Sequence, residues 1–91
     1  MIFEWDSKKA STNVHKHGIS FHEAASAFYD SLSVTDRDPD HSLDEMRLIT
    51  FGMSSSGRLL AVGHTERGDT IRIITARKAT SAERRLYEKD R

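Results

Sequence analysis

The chain has no cysteine, a single proline and no long apolar run. Without cysteine there is no disulfide framework and no thiolate metal site. No stretch approaches the roughly 20 apolar residues needed to span a bilayer as a helix. The opening Met1-Ile2-Phe3-Glu4-Trp5-Asp6 lacks the basic and apolar blocks of a signal peptide, so a cytoplasmic location and no membrane contact are the expectations. Glycine-rich phosphate loops, nucleophile elbows and paired-carboxylate motifs are also missing, because the five glycines are isolated from one another. Net charge is zero, but its distribution is uneven. Residues 1–57 hold five Lys/Arg against nine Asp/Glu, and residues 58–91 hold nine against five. The basic end suits an anion such as RNA, and the acidic part suits a solvated loop or a partner surface.

Ninety-one residues with 36% hydrophobic and 31% charged content make one domain with a lean core, spanning residues 1–91. Ile2 to Trp5 alternates like a short edge strand. Asp6 caps a helix to about Lys16, with Gly18 at the left-handed C-cap position and Ala10, Asn13 and Val14 turned to the sheet. Ser20-Phe21-His22-Glu23 is a capping box, and Phe21, Ala24, Ala25 and Phe28 form one apolar stripe of a helix ending near Tyr29-Asp30. Leu32 to Thr35 reads as a short strand and residues 36–42 as an acidic loop. Asp36, Asp38 and Asp40 copy the opening of a calcium loop, but His41 stands where glycine is needed and Arg47 where the bidentate glutamate is needed. Strands follow at Glu45 to Met53, Leu59 to Thr65 and Thr70 to Ala76, a meander joined by short turns. Thr80-Ser81-Ala82-Glu83 opens a C-terminal helix with a thin apolar face of Ala79, Ala82, Leu86 and Tyr87. The class is α+β: a compact antiparallel sheet of about four main strands, two N-terminal helices and one C-terminal helix.

The chemistry concentrates around the hairpin at Gly68-Asp69. Five histidines offer no His-x3-His pair, so the expected metal complement is none, and no cofactor is expected. Simple alternation places Arg72, Ile74 and Ala76 on one face, and Ile71, Ile73, Thr75 and Arg77 on the other, with His64 and Glu66 sharing a side. One imidazole, one carboxylate and three guanidiniums suit cleavage of an RNA phosphodiester by its own 2′-hydroxyl. His64 or Glu66 would take the hydroxyl proton. Arg67, Arg77 and Arg72 would hold the charge on the phosphorane. Tyr87 or His64 would protonate the leaving oxygen. The plainer alternative is a surface Glu66–Arg67 ion pair, an Arg72 lying over the sheet rim and a hydrogen-bonded core histidine.

Three separated blocks carry a family resemblance. Phe3-Glu4-Trp5-Asp6 with Lys8, Asn13, Lys16-His17-Gly18-Ile19-Ser20-Phe21 and Glu23-Ala24-Ala25 resembles the start of BrnT-type toxins. Asp38-Pro39-Asp40-His41-Ser42 with Glu45 and Arg47 is similar to their middle. His64 to Asp69, Ile71 to Ile74, Ala76-Arg77, Ala79, Glu83-Arg84 and Tyr87 resemble their C-terminal signature. The resemblance implies a RelE-like fold and a ribonuclease toxin of a bacterial type II toxin–antitoxin system, halting translation without a metal. It also implies a cognate BrnA-type ribbon-helix-helix antitoxin that neutralises the toxin and supplies the contact with operator DNA. By position it points to Lys8, His64, Glu66, Arg67, Arg77 and Tyr87. Together with the hairpin reading, the expected catalytic set is His64, Glu66, Arg67, Arg77 and Tyr87, and the expected substrate-binding set is Lys8, Arg72 and Arg84. The helix start Ser7-Lys8-Lys9 departs from the family pattern and shifts possible roles between Lys8 and Lys9. The alternative function is a non-catalytic interaction module, or a degenerate toxin that only binds its antitoxin.

Overall fold

The computed structural model describes residues 1–38 and 46–89. The central part of the acidic loop, including Pro39, Asp40, His41 and Glu45, lies outside the described residues. So do the calcium-loop comparison at Asp40 and His41 and the first residue expected of the following strand.

The elements in order are β1 (Ile2–Glu4), α1 (Ser7–His17), α2 (Phe21–Ser26) with a 3-10 turn at Ala27–Tyr29, β2 (Val34–Arg37), β3 (Leu48–Met53), β4 (Leu59–Arg67), β5 (Thr70–Lys78) and α3 (Ser81–Glu88). The five strands form one sheet in the order β1-β5-β4-β3-β2. Strands β3 to β5 make the expected antiparallel meander, and β2 extends it by pairing antiparallel with β3. The sheet is nevertheless mixed, because β1 adds to the far edge parallel to β5. A parallel neighbour needs a long crossover, and everything from α1 to β4 supplies it.

The cap signals explain the helix ends. Asp6 accepts from the Lys9 amide at 2.9 Å, and Gly18 closes α1 at φ 69°. At Ser20 only half of the box forms: its hydroxyl accepts from the Glu23 amide, while the Glu23 carboxylate turns away to Ser54 and Arg58. The box at Thr80 and Glu83 is complete. The α2 helix ends earlier than the apolar stripe suggested, its last turn tightening to 3-10 geometry.

Two clusters sandwich the sheet. On the first face α1 and α2 pack Ile19, Phe21, Ala24 and Ala27 onto Leu60, Val62, Ile71, Ile73 and Ala76. Burying Phe21 fully contributes roughly 1.5–3 kcal/mol. On the second face α3 covers one end only, where Tyr87 joins Phe51, Leu59 and Ala61. Val14 and Leu86, expected to face the sheet, are exposed instead. Asn13 takes the inward position on α1. Its Nδ2 donates to the carbonyls of Ile19 and Ala76 and its Oδ1 accepts from the Ala76 amide, so one amide side chain replaces a strand partner on the β5 edge beyond β1.

One irregularity governs the site. Gly63 pairs with Thr75 while the next residue, His64, pairs with Ile73, so Ile74 is an extra residue in β5. This bulge reverses the alternation beyond it. The expected grouping of Arg72 with Ala76 therefore does not occur. Ile71, Ile73 and Ala76 share the first face. Arg72 (opposite Thr65), Thr75 (opposite Gly63) and Arg77 (opposite Ala61) share the second.

Candidate functional site

Beyond the reach of α3, the second face holds a concavity of about 350 Å³ lined by Glu4, Thr65, Arg67, Thr70 and Arg72. Each residue arrives for a local reason. Gly68, at φ 57°, permits the tight turn that sets β4 against β5. The register then places Arg67 opposite Thr70 and Thr65 opposite Arg72. The parallel pairing of β1 sets Glu4 beside Arg72, and the Glu4 carboxylate accepts from Arg72 Nη1 at 2.8 Å. Both partners are about half exposed. Among the described residues the concavity thus offers two guanidiniums, one carboxylate and two threonine hydroxyls, a donor-rich surface suited to a phosphate.

The other expected residues lie elsewhere. His64 is fully buried on the first face. Its ring meets Phe28 edge-on at a 4.8 Å centroid distance. Its Nε2 is 2.7 Å from the Thr50 hydroxyl, which is 2.7 Å from that of Thr35. Burial pushes the imidazole down to about 4 from its ordinary 6.5, so it is neutral at pH 7. Its Nδ1 makes no hydrogen bond, and Glu66, on the same side as the sequence suggested, holds Oε2 3.4 Å away.

Arg77 lies on the second face but at its α3 end. It forms a bidentate pair with Glu83, at 2.7 and 2.9 Å, while Glu83 also accepts from the Thr80 amide. Hydrogen bonding from Arg77 holds the Glu83 carboxyl at about 2. Tyr87 is buried beside it, its hydroxyl donating to Asp30 at 2.5 Å. The same Asp30 oxygen accepts from the Met53 amide. Arg84 is exposed on α3, 3.7 Å from Glu88. Lys8 is exposed on α1 and lines no part of the concavity. Of the expected set, then, Arg67 and Arg72 share the concavity, while His64 meets Glu66 on the opposite face and Arg77 and Tyr87 lie at the α3 end. Among the described residues no group of three or more His, Cys, Asp or Glu side chains gathers as a metal site would require.

Glu4, Thr65 and Thr70 were not singled out from sequence. Glu4 stands 68 residues from its partner Arg72, and no local pattern announces a parallel strand pairing across that distance.

Fold and site together define a small α+β protein with an arginine-floored cleft on an otherwise helix-packed sheet. The family model for BrnT, the ribonuclease toxin of type II toxin–antitoxin systems, matches residues 5–83. This chain belongs to the BrnT family, a family of ribonuclease toxins that act as the toxin half of such pairs. Its fold is similar to the crystal structure of the Brucella abortus ribonuclease toxin BrnT, with a TM-score of 0.67 and 21% identity, covering 89% of this chain and all of that one. No curated protein sequence matches at a significant level.

Proposed function

We propose that the chain is a metal-independent endoribonuclease that cleaves RNA in the Arg67–Arg72 concavity and so arrests translation. The convergence of these two guanidiniums with a carboxylate in one cleft carries this reading. In the reaction the 2′-hydroxyl attacks the neighbouring phosphorus and the bond to the 5′-oxygen breaks. The products are a 2′,3′-cyclic phosphate and a free 5′-hydroxyl. Arg67 and Arg72 balance the charge that grows on the phosphoryl oxygens. Glu4, the carboxylate inside the cleft, takes the 2′-hydroxyl proton, and the departing 5′-oxygen regains a proton from it or from water. His64 and Glu66 support the hairpin from behind. Arg77 and Tyr87 fix α3 to the sheet. Lys8 and Arg84 contribute exposed positive charge outside the cleft.

Two guanidiniums supply the electrostatic stabilisation that a divalent ion would otherwise give. Among the described residues, the carboxylate lining the cleft is that of Glu4, already matched by Arg72, a poor donor set for such an ion. The partner in this reading is a BrnA-type ribbon-helix-helix antitoxin, which also makes the contact with operator DNA, and the site of action is the cytoplasm. The test is cleavage of a labelled RNA by purified protein in the presence of a chelator. The parent should cut, leaving cyclic phosphate ends, and Arg67→Ala should not. Cleavage that stops on chelation removes the metal-free scheme.

The second reading, a module that only docks its antitoxin, draws on β2. All four residues of this edge strand are exposed, and Leu32 beside it is 48% exposed. RNA left intact by the parent protein, with the antitoxin still bound, decides for it.

A further inference from the structure

A second concavity of about 290 Å³ lies between α1 and the β5 bulge. Its walls include Lys9, Thr12, Lys16 and His17 from α1, with Arg47, which precedes β3, and Thr75 from β5. Among the described residues no carboxylate lines it. Among the described residues Lys9, Lys16 and Arg47 make no ion pair, whereas Arg58, Arg72, Arg77 and Arg84 each have a carboxylate within 4 Å. Three unmatched cations on the walls of one groove repel each other and raise its positive potential, an arrangement that a polyanion relieves.

The groove and the arginine cleft both border β5. Arg72 and Thr75 are three residues apart on β5, so regular pleating would send them to opposite faces. The extra residue Ile74 restores them to one face, and Thr75 Oγ1 sits over Gly63, 2.8 Å from where a Cβ would lie. The bulge thus sets Arg72 of the one concavity and Thr75 of the other on one face of the same strand, roughly 10 Å apart at ~3.3 Å per residue.

We infer that the Lys9–Lys16–Arg47 groove is a backbone subsite for single-stranded RNA, holding phosphates of the nucleotides that flank the one cut in the arginine cleft. This rests on the ribonuclease reading for the cleft, but concerns binding and is tested apart from it. Lys9, Lys16 and Arg47 supply the charge of these walls, beside Thr12, Ile74, Thr75 and the His17 ring, so the subsite grips phosphates chiefly through its cations.

The test compares the full chain with its Lys9→Ala/Lys16→Ala/Arg47→Ala variant. One probe is a fluorescent single-stranded RNA long enough to cross both concavities. The other is a dinucleoside phosphate that fills only the cleft. For the long RNA, the slope of log K against log salt should fall by ~2, at ~0.7 for each phosphate that is no longer neutralised. Cleavage of the dinucleoside phosphate should keep its rate. Lys9→Ala/Lys16→Ala changes only exposed helix positions and should lower the slope by ~1.4, which keeps the test alive if the triple variant melts early. An unchanged slope overturns the subsite, as does loss of antitoxin binding with RNA affinity intact, which would make the groove a docking surface for an acidic protein segment. If neither protein cuts either probe but the slope still falls, the subsite stands and the ribonuclease reading fails.

Discussion

Arg72 and Arg77 lie on one strand and face the same side of the sheet, yet their surroundings differ. At the α3 end, Arg77 is locked by two short hydrogen bonds to Glu83, whose carboxylate also finishes the helix cap. At the hairpin end, Arg72 shares an open cleft with Arg67, with Glu4 and two threonine hydroxyls around them. The lesson is that a guanidinium's role follows from what its partner is already doing. Glu83 is committed to a cap and draws Arg77 into the architecture. Glu4 sits on an edge strand three residues long and leaves its arginine at the surface.

The largest effect that can break this comparison is on activity. Arg67→Ala should reduce RNA cleavage by roughly 10²–10³, the usual consequence of losing one positioned donor to developing charge. Its melting temperature should stay near the parent's, because the cleft is exposed. Arg77→Ala should do the reverse, lowering stability while cleavage falls only with the folded fraction. Paired cleavage assays and thermal melts check both, and equal activity losses at the two positions would erase the distinction between the ends.

A second effect comes from the opposite face. His64 is neutral in the folded protein down to about pH 4, but titrates at about 6.5 in the unfolded chain. The unfolded state therefore binds more protons across that window. Folding stability should be flat above pH 6.5 and decline as pH falls towards 4, by ~3 kcal/mol in total. His64→Gln keeps a partner for Thr50 and removes this limb. Urea unfolding at neutral and mildly acid pH measures it. A parent curve flat between these limits would mean that the ring is charged, and paired with Glu66, in the folded state.

The third effect sharpens the account of the α3 end. Losing a charge-assisted, partly exposed bidentate pair should lower stability by about 1–2 kcal/mol in Arg77→Ala. Arg77→Lys should recover only part, since an ammonium cannot form the fork. Because Arg77 holds Glu83 at about 2, the pair contributes fully above the ordinary carboxylate range and is lost as pH falls towards 2. Acid unfolding of Arg77→Ala should accordingly lack that limb. Glu83→Gln, which keeps the shape of the cap, should fall between parent and Arg77→Ala at neutral pH.

Much of this fold was legible because its signals are local. Asp6, Gly18, Ser20, Thr80 and the Gly68 turn each mark an element boundary within a few residues of where it occurs. What could not be read locally is the part that sets the site. The Ile74 bulge inserts one residue among β-branched neighbours with no turn residue to mark it, and it alone moves Arg72 and Arg77 to a common face. The parallel β1–β5 pairing brings Glu4 in from the other end of the chain. The α1 groove was closer to hand. Lys9, Thr12, Asn13 and Lys16 recur at helical spacing, and Arg47 alternates with Ile49 and Phe51. Only the fact that these two stripes face each other needed three dimensions. His64 was the converse case, a polar residue beside a hairpin whose burial against Phe28 no neighbouring residue in the sequence announces.

The smallest effect separates the two faces of the sheet. A Cβ added at Gly52 would lie 2.5 Å from the backbone oxygen of Ala27, on the face where helices press against the strands. Neither backbone can yield cheaply, so Gly52→Ala should cost about 1–3 kcal/mol as overpacking. At Gly63, on the grooved face, the added methyl would meet only the Thr75 hydroxyl, which can rotate away. Gly63→Ala should therefore cost less than ~1 kcal/mol. Its visible consequence should be weaker binding of long RNA, because the displaced hydroxyl intrudes into the groove that Thr75 lines. Chemical denaturation of the two variants side by side checks the order. If Gly63→Ala proves the more damaging, the bulged strand is packed as tightly as the helix-bound face, and the Thr75 hydroxyl has no room to turn into the groove beside it.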